Sequence, residues 1–333
     1  MRVSVDAMGG DHAPRVVVEG AAAAVREAGL SVTLVGRPEA LRDEIDRLPD
    51  AGALGLSIVP ASDVIEMGEP PARSLRRKPD ASIRVAADLL ARGEAGALFS
   101  AGNTGAIVLA ARSALGLLKG AERPALATPI PTMRGTAVLL DIGANADCRP
   151  QHLVTFAVMG AVYAKVGLGH ECPRVGLLSI GEEEGKGNEL TREAHRRLRD
   201  SSLQFVGNLE ARDIYSGQAD VVVCDGFTGN VVVKVSESLV EMVEAVLRRA
   251  LDAAGGAGAA GNADAVEHFC RHVDYSEYGG ALLLGVAGPC VVGHGRSSVK
   301  AVRNAIVLAS RVAADQLVSR VEGQLVGFRG SPS

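Results

Sequence analysis

The first 36 residues read MRVSVDAMGGDHAPRVVVEGAAAAVREAGLSVTLVG (1–36). Residues 2–6 form a short strand pattern that ends on Asp6. A polar, glycine-rich turn follows, and Pro14 stands where a helix start tolerates proline. Valines and alanines then run to Val25 as a helix, and residues 31–35 read as a second strand. The opening stretch therefore starts a strand–helix alternation, which is the signature of an α/β fold.

The alternation continues down the chain. Pro38 opens another helix, and strands are expected at 56–59, 97–99, 138–141, 175–178, 204–206 and 221–224. Helices are expected near 82–91, 105–118, 153–166 and 190–198. Wholly apolar strands that alternate with helices imply a mainly parallel sheet covered on both faces. There is no internal repeat and no Pro/Ser-rich linker, so no boundary between lobes can be drawn. The last third differs. Residues 230–253 form a long helical pattern with Val235, Leu239, Val243, Val246 and Ala250 on one face. A Gly/Ala-rich stretch, 255–261, and a short helix through His268 follow. The segment 230–272 is expected to be a helical arm packed on the sheet or on a second subunit, with contact to a bilayer as the alternative.

Composition narrows the function. The chain has 333 residues, 47% hydrophobic and 22% charged, which is globular composition with room for a large core. A net charge of −4, 3% aromatics and no Trp argue against nucleic acid as a partner. The five Cys (148, 172, 224, 270 and 290) are odd in number and form no C-x-x-C pair, which fits a reducing compartment. No signal-like segment follows Met1 and no apolar run reaches transmembrane length, so a cytoplasmic protein is expected, at most peripheral to a membrane.

Familiar catalytic motifs are missing or misplaced. Gly256-x-Gly258-x-x-Gly261 matches a dinucleotide fingerprint by spacing, but it follows a long helix where a strand is required. The run from Gly181 to Gly187 fails the phosphate-loop spacing and has no Ser or Thr after Lys186. There is no G-x-S-x-G elbow and no set of residues with ordinary zinc spacing, so no metal is expected. What remains is six polar, glycine-rich turns at strand ends, within 6–14, 100–105, 141–145, 181–188, 225–230 and 293–297. In a parallel sheet such ends share one edge, where ligands bind. Glycine lets backbone N–H groups approach an anion, and helix N-termini favour negative charge. The set points to phosphate or another small anion. Lys186 reads as a cation reaching into a cleft or as part of a solvated charge run. His12 and His294 read as general bases or as structural histidines. Arg73, Arg76, Arg77 and Lys78 form a basic patch, either a solvated face or a dock for phosphate or an acidic partner.

In combination the stretches DAMGGDHAP (6–14), SLRRKPDASI (74–83), SAGNTGA (100–106), LLDIGANAD (139–147), PRVGLLSIGEEEGKGNEL (173–190), VVCDGFTGNVVVK (222–234), YGGALLLGVAG (278–288) and GHGRS (293–297) resemble the bacterial phosphate acyltransferase family, in the family's order. Ser179, Leu282 and Ala287 depart from its pattern, where Asn, Pro and Asn are usual. The resemblance implies a three-layer α/β/α fold similar to the isocitrate dehydrogenase and phosphotransacetylase group, as one unit (1–333) of two interleaved lobes around a cleft. It implies transfer of an acyl group from acyl carrier protein to orthophosphate, with no cofactor. It also implies a downstream glycerol-3-phosphate acyltransferase, a homodimer and peripheral membrane contact.

Carried onto the matched positions, the resemblance suggests roles. Phosphate falls to Gly9, Gly10, Asn103, Thr104, Gly105 and the helix start near Gly229. Lys186 pairs with phosphate or with the oxyanion. Asn188 and Asn230 are hydrogen-bond donors, and Asn145 is a further substrate-binding candidate. His12 accepts a proton, and Asp11 or Asp225 orients a neighbour. Rival readings remain open at this point: an acyltransferase using coenzyme A thioesters, a nicotinamide-dependent dehydrogenase of the same fold group, and a non-enzymatic membrane scaffold.

Overall fold

Eleven strands form one sheet in the computed structural model, which describes residues 1–254 and 279–328. In chain order these are β1 (Arg2–Asp6), β2 (Ser31–Gly36), β3 (Leu56–Pro60), β4 (Ala97–Ser100), β5 (Ala125–Thr132), β6 (Gly135–Leu140), β7 (Arg174–Leu178), β8 (Gln204–Leu209), β9 (Val221–Val223), β10 (Ala281–Leu284) and β11 (Cys290–Val292). Their order across the sheet is β3-β2-β1-β4-β11-β10-β5-β6-β9-β7-β8. The helices are α1 (Arg15–Ala28), α2 (Pro38–Asp46), α3 (Pro71–Arg77), α4 (Ser82–Ala91), α5 (Thr104–Leu115), α6 (Pro150–Leu168), α7 (Glu189–Arg199), α8 (Gly226–Ala254), α9 (Val299–Ala314) and α10 (Leu317–Gly327).

The architecture has three layers. One face of the sheet carries α1, α2, α6, α7, α9 and α10 over a continuous core that includes Val5, Phe99, Leu140 and Val221. The other face carries α3, α4 and α5 over Leu98, Leu126 and Leu283, and the start of α8 over Leu139 and Val222. Helix α6 is apolar all round, from Leu153 through Phe156 and Met159 to Ala164, and is accordingly buried along most of its length.

The sheet is mainly parallel, as expected, but three antiparallel pairings overturn the expectation that all six turns share one edge. β3, β2, β1, β4 and β11 are mutually parallel, but β10 is antiparallel to both β11 and β5, and β6 is antiparallel to β5. β9, β7 and β8 follow β6 in parallel. The turns after β1, β4 and β11 therefore lie at one edge, and those after β6, β7 and β9 at the opposite edge, not all six together. The reversal is the β5–β6 hairpin, which the sequence reading missed because Pro129 and Pro131 interrupt β5. Both prolines fall where β5 has outrun β10 and pairs only with β6, so their missing N–H groups cost no ladder bond on the open side.

The two edges are linked by α8. It starts at the end of β9, and Glu237, eleven residues on and about 16 Å along the axis, lies within the electrostatic reach of His294 and Arg296 after β11. Also missed were β10 and the three-residue β11, together with α3, α9 and α10. Helix 82–91 coincides with α4, and α8 starts four residues before the expected 230. The remainder of the expected arm, with the Gly/Ala-rich stretch 255–261, the Gly256–Gly258–Gly261 spacing, His268 and Cys270, lies outside the described residues. Among the described residues no helix is long and apolar enough to cross a membrane.

Candidate active site

The first cluster is built on a buried carboxylate. Asp6 ends β1 with 3% of its surface exposed, and Ser100 at the end of the neighbouring β4 donates its hydroxyl to Asp6 Oδ2 at 2.7 Å. Ser100 Oγ accepts the Gly102 N–H (3.1 Å), and Asp6 Oδ1 accepts the Met8 N–H (3.3 Å). Burial pushes the Asp6 carboxyl above its usual range, and bonds from Ser82, Ser100 and Met8 oppose the shift. The turn at Gly9 packs on Gly102 so closely that a Cβ on Gly9 would lie 2.7 Å from Asp6 Oδ2 and 2.8 Å from the Gly102 nitrogen. Gly10 has φ +111°, open to glycine and strained for other residues. The Asp11 N–H donates to the Gly295 carbonyl at 2.8 Å, so the turn after β11 joins the same cluster.

Asn103 caps α5, its Oδ1 accepting the Ala106 N–H at 3.1 Å. Its amide nitrogen donates to the carbonyls of Glu66 (3.3 Å), Met67 (2.9 Å) and Glu69 (3.0 Å). The Asn103 side chain is thus committed to holding the 66–69 loop. Thr104 and Gly105 are half-buried in the first turn of α5, whose leading N–H groups have no intrahelical acceptor. Asp11 and His12 are exposed beside them. The structure brings Gly9, Gly10, Asp11, His12, Asn103, Thr104 and Gly105 together as a cradle of backbone donors at a helix N-terminus.

The second cluster is built on Asp141, which is fully buried. Its Oδ1 accepts the N–H groups of Leu126 (3.0 Å), Gly143 (3.1 Å) and Ala144 (3.0 Å). Its Oδ2 accepts the N–H and the side-chain amide of Asn145, both at 2.8 Å. Burial raises this carboxyl as well, and its N–H donors pull the other way. Asn145 is buried, and its amide also donates to the Pro124 carbonyl at 2.7 Å. Asp225 caps α8 by accepting the Thr228 N–H and hydroxyl, each at 2.9 Å, and its carbonyl accepts the Gly229 N–H. Gly229 lies under the Asp141 carbonyl, where a Cβ would stand 1.9 Å from that oxygen. Asn230 is half-buried on α8 and faces Gly143. In this cluster Asn145, Asp225 and Gly229 are engaged within the protein, while Asn230 lines its surface.

Lys186 and Asn188 follow β7, at the sheet edge that carries the second cluster. Asn188 caps α7 through the Thr191 N–H at 2.9 Å. The 181–187 loop is tied to β8 and its neighbours: Asn208 donates to the Glu183 carbonyl (3.0 Å), Arg212 pairs with Glu182 (3.1 Å) and Arg199 with Glu184. Lys186 is exposed and has no ion-pair partner among the described residues. Ser179, at the base of this loop, keeps a buried hydroxyl with no hydrogen-bond partner.

Sequence reading quoted Asp6, Ser100 and Asp141 within their turns but did not select them, and it missed Glu237. The available signal was an acid or hydroxyl ending an apolar strand just before a glycine turn. Among the described residues no His, Cys, Asp and Glu side chains gather as a metal site requires. A cavity of about 160 Å³ lies elsewhere, between the end of α6 and α9, lined by Tyr163, Leu168, Val307, Leu308 and Arg311.

Comparison with known proteins agrees with this architecture. The family model described as "Fatty acid synthesis protein" matches residues 1–320. A phosphate acyltransferase of Geobacter sulfurreducens is 51% identical over 311 residues, covering 93% of this chain and 90% of that protein. A phosphate acyltransferase of Pelobacter propionicus is 47% identical over 327 residues, covering 98% of this chain and 94% of that protein. Among solved structures, a phosphotransacetylase from Streptococcus pyogenes superposes with a TM-score of 0.65 at 18% identity, covering 96% of this chain and 94% of that one. A branched-chain phosphotransacylase from Enterococcus faecalis gives 0.59 at 19% identity, covering 94% and 99%. At these identities the two structures speak for the fold alone, whereas the family model and the relatives together show that the chain belongs to the phosphate acyltransferase family, a family of transacylase enzymes.

Proposed function

We propose that this enzyme transfers the acyl group of an acyl carrier protein thioester to orthophosphate, releasing acyl phosphate and the free carrier thiol. The observation that carries the reading is the cradle at Gly9–Gly10 and Thr104–Gly105, where backbone donors at the start of α5 converge on a turn held rigid by Asp6 and Ser100. Such a cradle suits a small tetrahedral anion.

The chemistry needs little more than position. A phosphate oxygen attacks the thioester carbonyl carbon, the carbon–oxygen bond forms, and the carbon–sulfur bond breaks as the oxyanion collapses. Holding phosphate against the carbonyl removes most of the entropic barrier. In this reading the cradle's backbone donors hold the incoming phosphate, while Asn230 and Lys186, on the far side of the span that α8 bridges, meet the thioester carbonyl and stabilise the oxyanion. His12, exposed at the rim of the cradle, takes the proton of monobasic phosphate and returns it to the departing thiolate. Asp11 orients His12. Asn103, Asn145, Asn188, Asp225 and Gly229 hold the turns in place. The product is a mixed anhydride, which a glycerol-3-phosphate acyltransferase would consume in phosphatidic acid synthesis. The reading includes a cytoplasmic homodimer that touches the membrane peripherally.

The test is thiol release from palmitoyl-carrier protein with and without orthophosphate, with acyl phosphate trapped by hydroxylamine. Phosphate-dependent release matched by trapped hydroxamate is expected. Release without phosphate would make the protein a thioesterase. Turnover of coenzyme A thioesters alone would replace the donor in this reading.

A further inference from the structure

We infer that the short helix α3 is the docking face for the acidic carrier protein that presents the thioester; this rests on the carrier-bound donor proposed above. Arg73, Arg76 and Arg77 are all exposed, and their i, i+3, i+4 spacing puts them on one face of α3. None makes an ion pair among the described residues, in contrast to Arg15, Arg26, Arg174 and Arg248, which do. Arg84 of α4 extends the face, reaching the Leu75 carbonyl at the end of α3 at 3.4 Å. Two of the nearby acids are already engaged, Glu69 by Lys78 at 2.5 Å and Asp80 by the Ser62 N–H at 2.6 Å, while Glu66 in the same loop is exposed and offsets part of the charge. Lys78, which also donates to the Val64 carbonyl at 2.6 Å, is therefore a latch of the 64–69 loop and not part of the surface. A face with a clear excess of positive charge on a chain of net charge −4 is complementary to an acidic partner.

The place of α3 makes it useful for delivery. Its first residue, Pro71, lies against Gly105 of the cradle, where a Cβ would stand 2.7 Å from Pro71 Cγ. The loop leading into it hangs from the Asn103 amide. From Pro71 to Arg77 the axis advances about 9 Å, so every arginine of the face lies close to the cradle. Met67, 44% exposed, sits over Gly295 as an apolar lip between the basic face and the cradle. A second basic pair, Arg248–Arg249 near the end of α8, is less suited. Arg248 is paired with Glu244 at 2.7 Å, and Arg249 is 19 residues beyond Asn230, about 28 Å along α8.

The experiment compares the full-length protein with its Arg73→Glu/Arg76→Glu/Arg77→Glu variant, and with the milder Arg→Gln triple in case the first fails to fold. Binding of fluorescently labelled holo-carrier protein, bearing no acyl group, is titrated at low and high salt. KM is measured for carrier-bound and for coenzyme A thioesters of one chain length. Expected are at least about tenfold weaker carrier binding, a smaller salt dependence and a matching rise in KM for the carrier-bound donor. KM for phosphate and for the coenzyme A donor stays unchanged. Unaltered carrier binding, or an equal loss with both donors, overturns the assignment. Loss of flotation with anionic vesicles at unaltered carrier binding overturns it too, and gives the face to a lipid surface. α3-dependent carrier binding without turnover leaves the dock standing and refutes the proposed reaction, whereas carrier-dependent turnover indifferent to α3 does the reverse.

Discussion

The Ser100 hydroxyl, at the end of β4, bridges to the Asp6 carboxylate at the end of β1 across 2.7 Å, although 94 residues separate them. The same oxygen accepts the Gly102 N–H, so one hydroxyl sets the relative position of the two turns that form the cradle proposed for phosphate. Ser100→Ala leaves the buried Asp6 oxygen and the Gly102 N–H without this partner, at a cost of about 1–3 kcal/mol. Because both turns shift, KM for phosphate should rise more than KM for the thioester. Equal changes in the two constants would show that the bridge serves stability alone.

Asp6 also gives stability a defined pH slope. Its carboxyl in the fold is raised above the usual 3.8, so the folded state keeps a proton that the unfolded chain has lost. This contribution is full below about pH 3.8 and fades as pH rises through the raised value. Asp6→Asn cannot ionise, so its stability relative to wild type should improve steadily as pH climbs from 4 towards neutrality. Chemical denaturation across that interval is the measurement. A parallel pair of curves would contradict the assignment to Asp6.

Gly229 tests the second cluster. A methyl group there would meet the Asp141 carbonyl at 1.9 Å, and the facing atoms are backbone, which cannot swing aside. Gly229→Ala should destabilise by about 1–3 kcal/mol or more and displace the start of α8. Asn230, the next residue, moves with it, so turnover should fall with the stability. Thermal melting at wild-type temperature would be incompatible with this packing.

Substitution of Lys186 tests the proposed chemistry apart from folding. The side chain is exposed and unpaired among the described residues, so Lys186→Ala should leave stability within about 0.5 kcal/mol. If the ammonium stabilises the oxyanion or phosphate, kcat should drop by about 100-fold or more. Full turnover in this variant would remove Lys186 from the mechanism.

Thiol reactivity should follow burial. The Cys148 and Cys290 thiols are pushed up to about 12, and Cys224 is raised well above its ordinary value, in each case chiefly by burial. Cys172 is exposed. Brief iodoacetamide treatment of the native protein at pH 8 should label Cys172 first among these four, with the other three appearing after denaturation. Peptide mass mapping reads the order directly, and early labelling of Cys224 would argue that the second cluster opens readily.

Much of the candidate site was legible before folding was known. The turns at Gly9–Gly10, Asn103–Gly105 and Gly229–Asn230 announce themselves because glycine and asparagine cluster where apolar strands stop. The use of each side chain was not legible. Asn103, Asn145 and Asn188 read as substrate contacts and Asp225 as an acid that orients a neighbour, yet their hydrogen bonds go to loop carbonyls, to Asp141 and to helix N-termini. Which partner an amide finds depends on backbone brought in from distant segments, and local spacing carries no record of it.

What the sequence determined by itself is the local grammar: apolar strands, helices between them, α4 to the residue, and glycine where backbone must approach backbone. Its likeness to a family extends that grammar to a reaction class. The tertiary structure alone decided direction and company. Alternation of apolar residues has no polarity, so a strand reads the same whether it runs up or down the sheet. The β5–β6 hairpin turns half of the sheet around, sending Asp6 and Asp141 to opposite edges, and α8 then spans the face between them. Burial of those two carboxylates follows from strands that meet only in the folded sheet, where removing them from water raises both above the ordinary carboxyl range.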